Sequence, residues 1–146
     1  MRKDLPMLLI RVVVGLVFLT EGLLKFMEPG EFGSGRFAHI GFPWPHVLAP
    51  LVGLVEIVAA GALLGGVYAG DAAIVLLVVI LTAICTTKIP ILLGRHFGRF
   101  QPPLGHYGLM SFLHESRTDL CMLAGCVAIL LDSGVTMMQT KRLFQR

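Results

Sequence analysis

Four long apolar stretches dominate the pattern of hydrophobic and polar positions along the chain. They cover about residues 7–27, 47–68, 72–93 and 118–136. A helix needs roughly 20 apolar residues to cross the hydrocarbon core of a bilayer. The stretches are continuous rather than alternating, and they are too long for the strands of a membrane barrel. We therefore predict an all-α membrane protein, a four-transmembrane-helix bundle formed by a single domain, residues 1–146.

Proline and aromatic residues mark the connections between the predicted helices. Tyr68–Asp71 predicts a tight turn before the third helix, and Pro90 predicts a kink or a stop near its end. The longest connection, about residues 94–117, joins the third helix to the fourth. Aromatic side chains favour the membrane interface, and this connection contains Phe97, Phe100, Tyr107 and Phe112. We therefore expect it to lie in the interface.

Composition supports lipid as the solvent. Hydrophobic residues make up 55% of the 146 residues, and the mean hydropathy is +0.82. Charged residues make up only 14%, against about 25% in a typical soluble domain. A soluble chain of this composition has too little polar surface to cover its exterior. The net charge of +3 comes from scattered basic residues, which argues against nucleic acid as a partner.

The distribution of basic residues predicts the orientation. Arginine and lysine are enriched in the cytoplasmic segments of membrane proteins. An even number of helices places both termini on one side, where five basic residues flank the bundle: Arg2, Lys3, Lys141, Arg142 and Arg146. The connections on the other side contain Arg36, Arg95 and Arg99. We therefore predict that the N- and C-termini are cytoplasmic.

Two opposite charges are predicted at the cytoplasmic edge of the bundle. Ionisable residues inside membrane helices are costly, so they usually face the interior and find partners. Arg11 and Asp132 each lie about four residues from this edge, on the first and fourth helices. Because these helices are expected to be antiparallel, their side chains reach similar depths. We predict an Arg11–Asp132 ion pair with a structural role.

A second set of charges lies in the outer half of the predicted bundle. Its members are Glu21, Lys25, Glu56, Lys88, Glu115, Arg117 and Asp119. Glu21 and Lys25 are one helical turn apart and can pair. Glu56 lies near mid-membrane with no partner nearby in sequence, which makes it the strongest single candidate for proton exchange. The set forms either a structural polar core or a cavity that binds a small molecule or moves protons.

Small residues indicate how the helices pack. One stripe of the first helix is formed by Arg11, Gly15, Phe18, Gly22 and Lys25, whose spacing alternates between four and three. Glycines on such a stripe allow a neighbouring backbone to approach closely. Gly61 and Gly65 have G-x-x-x-G spacing on the second helix. We interpret this as internal packing in preference to a homodimer contact, and a homo-oligomer stays possible.

Cysteine and histidine spacings predict no metal site. Cys85, Cys121 and Cys126 lie in apolar segments without C-x-x-C spacing, so we expect small, buried, apolar side chains. The histidines all fall in the two outer connections: His39, His46, His96, His106 and His114. None has the spacing of a metal motif. The alternative to metal binding is that these interfacial histidines lie near the head group of a bound quinone.

Three segments, in this order and spacing, resemble the DoxX family. They are RVVVGLVFLTEGLLKF from Arg11 to Phe26, VEIVAAGALLGG from Val55 to Gly66, and HESRTDLCMLAG from His114 to Gly125. The resemblance covers about the whole chain. Its ending, Asp132–Val135, departs from the usual Gly-rich pattern and leaves the Arg11–Asp132 pair without family support. The resemblance implies a four-helix protein of the bacterial inner membrane.

The resemblance also implies a functional context. Relatives include a subunit of a thiosulfate:quinone oxidoreductase and membrane parts of complexes with superoxide dismutase and a sulfurtransferase. The first hypothesis is therefore an integral membrane subunit of a redox-associated complex, with quinone or a small sulfur compound bound in the outer polar set. Arg117, Lys88 and Lys25 would hold an anionic group, and Glu56 or Glu21 would exchange protons with a quinone.

A second hypothesis belongs to a different class. The chain would be a non-enzymatic membrane scaffold or assembly factor for a partner protein, and its charges would serve packing. The sequence contains no haem-attachment motif and no iron–sulfur spacing, so electron transfer needs a soluble redox enzyme or a bound quinone. No residue is identified as catalytic. A small-molecule carrier is less favoured, because no inverted repeat is visible.

Overall fold

The structure is a computed structural model that describes the backbone of residues 5–95 and 106–144 and the side chains of residues 5–95 and 106–134. Its helical elements are α1 (Leu5–Met27), α2 (Ser34–Ile40), α3 (Pro45–Gly65), α4 (Ala69–Ala83), a π-helical turn (Ile84–Lys88), α5 (Ile89–Leu92) and α6 (Leu109–Phe144). The π turn joins α4 and α5 into one rod, Ala69–Leu92. The described backbone contains no strand, which confirms the all-α prediction.

Three of these helices are long and apolar enough to cross a membrane. They are α1, α3 and the α4–α5 rod. Large apolar side chains cover their outward faces, among them Leu9, Leu54 and Val78. Soluble proteins rarely expose such extensive apolar surface, whereas lipid solvates it. The fold is therefore that of a membrane protein with several apolar helices.

The four long helices of the described chain pack as a ring. α1 packs against α3 and α6, and α4 packs against α3 and α6. Gly22 of α1 lies against Gly53 of α3, whereas Gly15 lies against Ala60 further along α3. The residue numbers rise along α3 as they fall along α1, so the two helices are antiparallel.

The contacts of α4 and α6 define the two ends of the bundle. At the terminal end, where α1 begins, Gly70 near the start of α4 lies against Ser133 of α6. At the distal end, Lys88 of the π turn lies close to Asp119, in the first third of α6. α4 and α6 are therefore antiparallel, and α6 follows the α4–α5 rod from its distal part to its start.

An apolar core fills the interior between these two ends. All four long helices contribute buried side chains to it, including Val14, Phe18, Leu63, Leu76, Ile80, Met122, Cys126 and Ile129. In lipid, the hydrophobic effect does not drive helices together, so dispersion contacts in a close-packed interior carry more of the stability. Small residues at the crossings, such as Gly22 and Gly53, make this close packing possible.

Exposed aromatic residues mark both ends of α3. Trp44 precedes Pro45, and Tyr68 follows the C-terminus of α3 and precedes Ala69. Both have positive φ, 45° for Trp44 and 51° for Tyr68, which is uncommon for bulky residues. At about 1.5 Å per residue, α3 spans roughly 30 Å, the thickness of a hydrocarbon core. The two rings therefore lie where interfacial aromatic belts occur.

Pro90 gives a physical reason for the π turn. In a regular α-helix its ring would clash with the carbonyl four residues earlier, which belongs to Thr86. The helix instead widens, and the amide of Ile89 donates to the carbonyl of Ile84, five residues back. The helix then continues past Pro90 and ends at Leu92, two residues further on. Such turns occur frequently at functional sites.

The helix boundaries differ from the predicted ones in two places. α2 was not predicted, because seven residues without a strong apolar face give little signal. α6 begins at Leu109 rather than near 118, since its first turns contain charges that hydropathy reads as a connection. Phe112 of the predicted interfacial connection is therefore helical, while Phe97 and Phe100 lie outside the described residues.

Gly61 and Gly65 do not serve internal packing. Both are exposed, and a Cβ added to either would meet nothing within 4 Å. The internal crossing between α1 and α3 uses Gly15, Gly22 and Gly53 instead. The interpretation of the G-x-x-x-G spacing as an internal contact is therefore wrong.

The two glycine sets predict opposite responses to one added methyl group. In Gly22→Ala, the new Cβ lies 2.8 Å from the carbonyl oxygen of Gly53, so we expect a loss of about 1–3 kcal/mol of unfolding free energy. Gly61→Ala meets no neighbour, and we expect no loss or a gain of up to about 1 kcal/mol. Reversible unfolding in mixed detergent micelles measures both. Equal losses would contradict the packing described.

Candidate functional site

The ionisable side chains inside the bundle form three separate groups. One is the Arg11–Asp132 pair at the terminal end. The second is a Lys25–Glu56 pair between α1 and α3. The third, the distal cluster, comprises Lys88, Glu115 and Asp119 between the π turn and α6. Among the described residues, no ion pair joins one group to another.

Arg11 and Asp132 form a loose contact at the terminal end. The guanidinium Nη2 lies 3.9 Å from the Asp132 Oδ2, within ion-pair range but beyond hydrogen-bonding distance. Both side chains are partly exposed. Partly exposed pairs of this kind contribute little to stability, about 0–1 kcal/mol.

Lys25 and Glu56 form the shortest ion pair among the described residues. The ammonium Nζ donates to Glu56 Oε2 at 2.7 Å, and the side chains are only 9% and 4% exposed. Lys25 also donates to the backbone carbonyl of Glu21 at 3.3 Å. The Glu21 side chain is exposed and makes no described contact with Lys25, so this differs from the expected Glu21–Lys25 pair. Glu56 was singled out for having no nearby partner, and α1 provides one.

The geometry of α1 and α3 explains this pairing. Side chains on a helix tilt toward its N-terminus. α1 begins at the terminal end and α3 at the distal end, so Lys25 and Glu56 point toward each other. The backbones approach closely where Gly22 faces Gly53, and a Cβ on Gly53 would lie 3.3 Å from the Cβ of Lys25. Glycine at the crossing therefore brings the two charged groups into direct contact.

The distal cluster is held more loosely. Lys88 Nζ lies 3.5 Å from Asp119 Oδ2 and 3.8 Å from Glu115 Oε2. Lys88 is buried, and the two carboxylates are partly buried. The positive charge of Arg36, on α2, also acts on Asp119. Arg36 is therefore a second basic residue near the cluster. From the sequence it was assigned only to a connection between helices.

Two polar atoms at the distal cluster have open hydrogen-bonding capacity. Asp119 Oδ2 and Ser111 Oγ are buried, and neither has a hydrogen-bond partner within the described structure. Ser111, Glu115 and Asp119 share one face of α6, because they are successive i, i+4 neighbours. Buried polar atoms without partners are rare in folded proteins. The open atoms indicate that the distal cluster can accept a polar ligand or water.

Ser111 was missed at the level of sequence. Its only signal is its spacing, one helical turn before Glu115 and two before Asp119. That spacing becomes informative once α6 is known to begin at Leu109. The neighbouring Ser116 is also buried, but its hydroxyl donates to the carbonyl of Phe112. Ser111 therefore differs from Ser116 in having no internal partner.

Ion pairs do not join the seven predicted site residues into one group. Lys25 and Glu56 pair with each other, and Lys88, Glu115 and Asp119 form the distal cluster. The remaining two residues, Glu21 and Arg117, are exposed. The three basic residues proposed to hold one anion are consequently in different environments.

Thiols and imidazoles form no metal site in the described part of the chain. Cys126 is buried as expected, whereas Cys85 and Cys121 are exposed. Lipid surrounds an outward-facing thiol on a membrane helix, so burial by protein is not required there. His114 Nδ1 lies 3.3 Å from Glu115 Oε1, at the edge of the distal cluster. His96 lies outside the described residues.

These features define a helical membrane protein with charged groups enclosed between its helices. The chain belongs to the DoxX family, whose profile matches residues 6–89. It is 40% identical over 137 residues to an uncharacterized membrane protein of Mycobacterium tuberculosis, covering 94% of this chain and 80% of that protein. No solved structure matches the chain significantly. The matched profile includes Lys25, Glu56 and Lys88 but ends before the acidic residues of the distal cluster.

Removing one charge of the Lys25–Glu56 pair should lower stability strongly, and removing the second charge should restore it. Lys25→Met leaves the Glu56 carboxylate buried without its partner, and we expect a loss of about 3–5 kcal/mol. The double change Lys25→Met/Glu56→Leu removes both charges and should restore most of that loss. Arg11→Gln, at the looser pair, should cost no more than about 1 kcal/mol.

Unfolding in mixed micelles gives all three free energies. A double variant as unstable as the single variant would show that the two charges are not coupled. An Arg11→Gln loss as large as that of Lys25→Met would contradict the ranking by burial.

Proposed function

We propose that this protein is an integral membrane subunit of a redox-associated complex, and that its distal cluster binds the head group of a quinone. The observation that carries the proposal is the open hydrogen-bonding capacity of Ser111 and Asp119 beside a buried lysine. The resemblance to subunits of redox complexes gives the functional context. The Lys25–Glu56 pair, whose charged groups are already hydrogen-bonded to each other, has a structural role.

Charge favours a neutral ligand over an anionic one. The charges of Lys88 and Arg36 are balanced by those of Glu115 and Asp119, so an anion added beside the carboxylates would meet their repulsion with no excess positive charge to offset it. Lys25 is committed to Glu56, and Arg117 is exposed. A neutral quinone avoids this repulsion. The structure therefore favours quinone over an anionic sulfur compound.

The polar groups match the chemistry of a quinone head. Lys88 can donate a hydrogen bond to a quinone carbonyl, and Asp119 Oδ2 can accept one from a quinol hydroxyl. The Ser111 hydroxyl can do either. Exposed apolar side chains on α5 and α6, such as Ile89, Leu92 and Leu113, provide a lipid-like surface for the tail. Electrons would pass between the quinone and a soluble redox enzyme, the proposed partner.

The proposed topology puts the distal cluster near one surface of the membrane. α6 follows the α4–α5 rod from Asp119 to Ser133, and that rod is a candidate span, so we propose α6 as the fourth span. With cytoplasmic termini in a bacterial inner membrane, the distal end faces outward. A quinone would then reach the cluster from the outer leaflet.

An alternative function is favoured by the length of α6. The helix continues to Phe144, about 16 Å beyond Ser133 at 1.5 Å per residue. Ser133 lies against Gly70, at the start of α4. A helix extending past its bundle provides a surface for a partner protein. The alternative is therefore a non-enzymatic scaffold or assembly factor, in which the distal cluster has only a packing role.

Quinone titration separates these two functions. Trp44 is the single tryptophan, so quenching of tryptophan fluorescence by quinone reports on one position. For the protein in nanodiscs, we expect saturable quenching by a short-chain ubiquinone. Ser111→Ala should weaken binding about tenfold or more, since the quinone carbonyl loses the hydrogen bond that the Ser111 hydroxyl donates.

Two controls make the titration specific. Glu21→Gln removes an exposed carboxylate on α1 and should leave binding unchanged. Ser116→Ala removes a buried hydroxyl that already has an internal partner, and should also leave binding unchanged. Quenching that does not saturate, or that is equal in wild type and Ser111→Ala, would favour the scaffold function.

A further inference from the structure

The distal cluster continues to the protein surface through a histidine. His114 Nδ1 lies 3.3 Å from Glu115 Oε1. The His114 side chain is 45% exposed, whereas Glu115 is 15% exposed. Imidazole is the side chain whose ordinary titration range lies near neutral pH. An exposed imidazole beside a partly buried carboxylate is an arrangement that can pass protons inward.

Glu115 connects this histidine to the interior of the cluster through its second oxygen. Its Oε1 faces His114, and its Oε2 lies 3.8 Å from Lys88 Nζ. Lys88 in turn lies 3.5 Å from Asp119 Oδ2, the buried oxygen without a hydrogen bond. At 3.5–3.8 Å, Lys88 lies within ion-pair range of both carboxylates and therefore sits between Glu115 and Asp119. Polar groups are therefore continuous from the exposed imidazole to Asp119.

Along α6, no comparable series of polar side chains leads from the distal cluster toward the terminal end of the bundle. Below Asp119, the inward-facing residues of α6 are Met122, Cys126 and Ile129, all buried in the apolar core. The next carboxylate on that helix is Asp132, about 20 Å away at 1.5 Å per residue. An apolar layer of this thickness is a barrier to protons because it offers them no carrier.

We propose that the distal cluster exchanges protons only with the distal side of the membrane, through His114 and Glu115. A proton leaves the His114 imidazolium and binds Glu115. It then passes to Asp119, the i+4 neighbour of Glu115 on α6 that shares the same lysine, and the reverse steps return it. Lys88 contacts both carboxylates and holds them together. This inference deepens the proposed function, because quinone chemistry at the cluster would then exchange protons on one side only.

The charged groups around Asp119 come from three elements. Lys88 lies on the π turn, Arg36 on α2, and Glu115 on α6 itself, and all three act on Asp119 electrostatically. Arg117, also on α6, is exposed. His114 contacts a carboxylate of this cluster directly, through Glu115.

The test uses a lipid-soluble carbodiimide, which reacts with protonated carboxyl groups, and needs no quinone. The full chain is reconstituted in oriented, sealed proteoliposomes, and the pH is set separately on each side. Peptide mass spectrometry measures the labelling of Asp119 and Asp132. We expect Asp119 labelling to fall when only the distal pH is raised. Labelling of Asp132, at the terminal end, should follow only the terminal pH.

Variants decide whether the path uses His114. In His114→Gln, Asp119 labelling should respond about tenfold less to the distal pH, because the proton no longer reaches Glu115 through the imidazole. Arg117→Gln, an exposed change on the same helix, should respond as the wild type does. Asp132 labelling in the same sample confirms that each variant is folded and oriented.

Three results would overturn the inference. One is Asp119 labelling that follows the terminal pH, or the pH of both sides equally. Another is an unchanged response in His114→Gln, which would mean that water reaches Asp119 directly. A third is no labelling of Asp119 at any distal pH, which would mean that it takes up no proton. Each result is independent of quinone binding, so a failed titration and a failed proton path are distinguishable.

Discussion

The hydrogen-bonded ion pair between Lys25 and Glu56 constrains the rest of the structure. Two opposite charges enclosed between apolar helices are stable only in direct contact, since either charge alone would be buried without compensation. Direct contact requires α1 and α3 to cross closely, which explains the glycines at positions 22 and 53. That crossing fixes the register of the two helices. Because α4 packs on α3, and α6 packs on α1 and α4, the same register positions the remaining helices.

The requirement for direct contact also distinguishes the Lys25–Glu56 pair from the distal cluster. Lys25 and Glu56 hydrogen-bond each other, so neither is available for a ligand without breaking the pair. Lys88, Glu115 and Asp119 lie at longer distances, beside buried oxygens with open hydrogen-bonding capacity. The π turn that accommodates Pro90 ends at Lys88, so a local backbone adjustment lies at the cluster. The looser group, rather than the deeper one, therefore has the chemistry of a binding site.

Sequence reasoning predicted the helical membrane fold, because long apolar stretches have few alternative solutions. It also identified Lys25, Glu56, Lys88 and Asp119 as enclosed charges. It could not assign the partner of Glu56, because Lys25 and Glu56 lie on different helices. Their pairing depends on the register of α1 against α3, which is set by the close approach of Gly22 and Gly53. The start of α6 was also not predicted from hydropathy. Its first turns contain charged residues that form ion pairs with another helix, and such a segment has the hydropathy of a polar connection. The position of Ser111 on a helix was therefore not predicted either.

We propose that the distal cluster, and not the Lys25–Glu56 pair, is the ligand site. Photoaffinity labelling with an azidoquinone, followed by peptide mapping, tests the location of this site directly. We expect label on Ile84–Leu92 and on the first turns of α6, removed by excess unlabelled quinone. Competed label near Lys25 and Glu56, or label that unlabelled quinone does not remove, would contradict it.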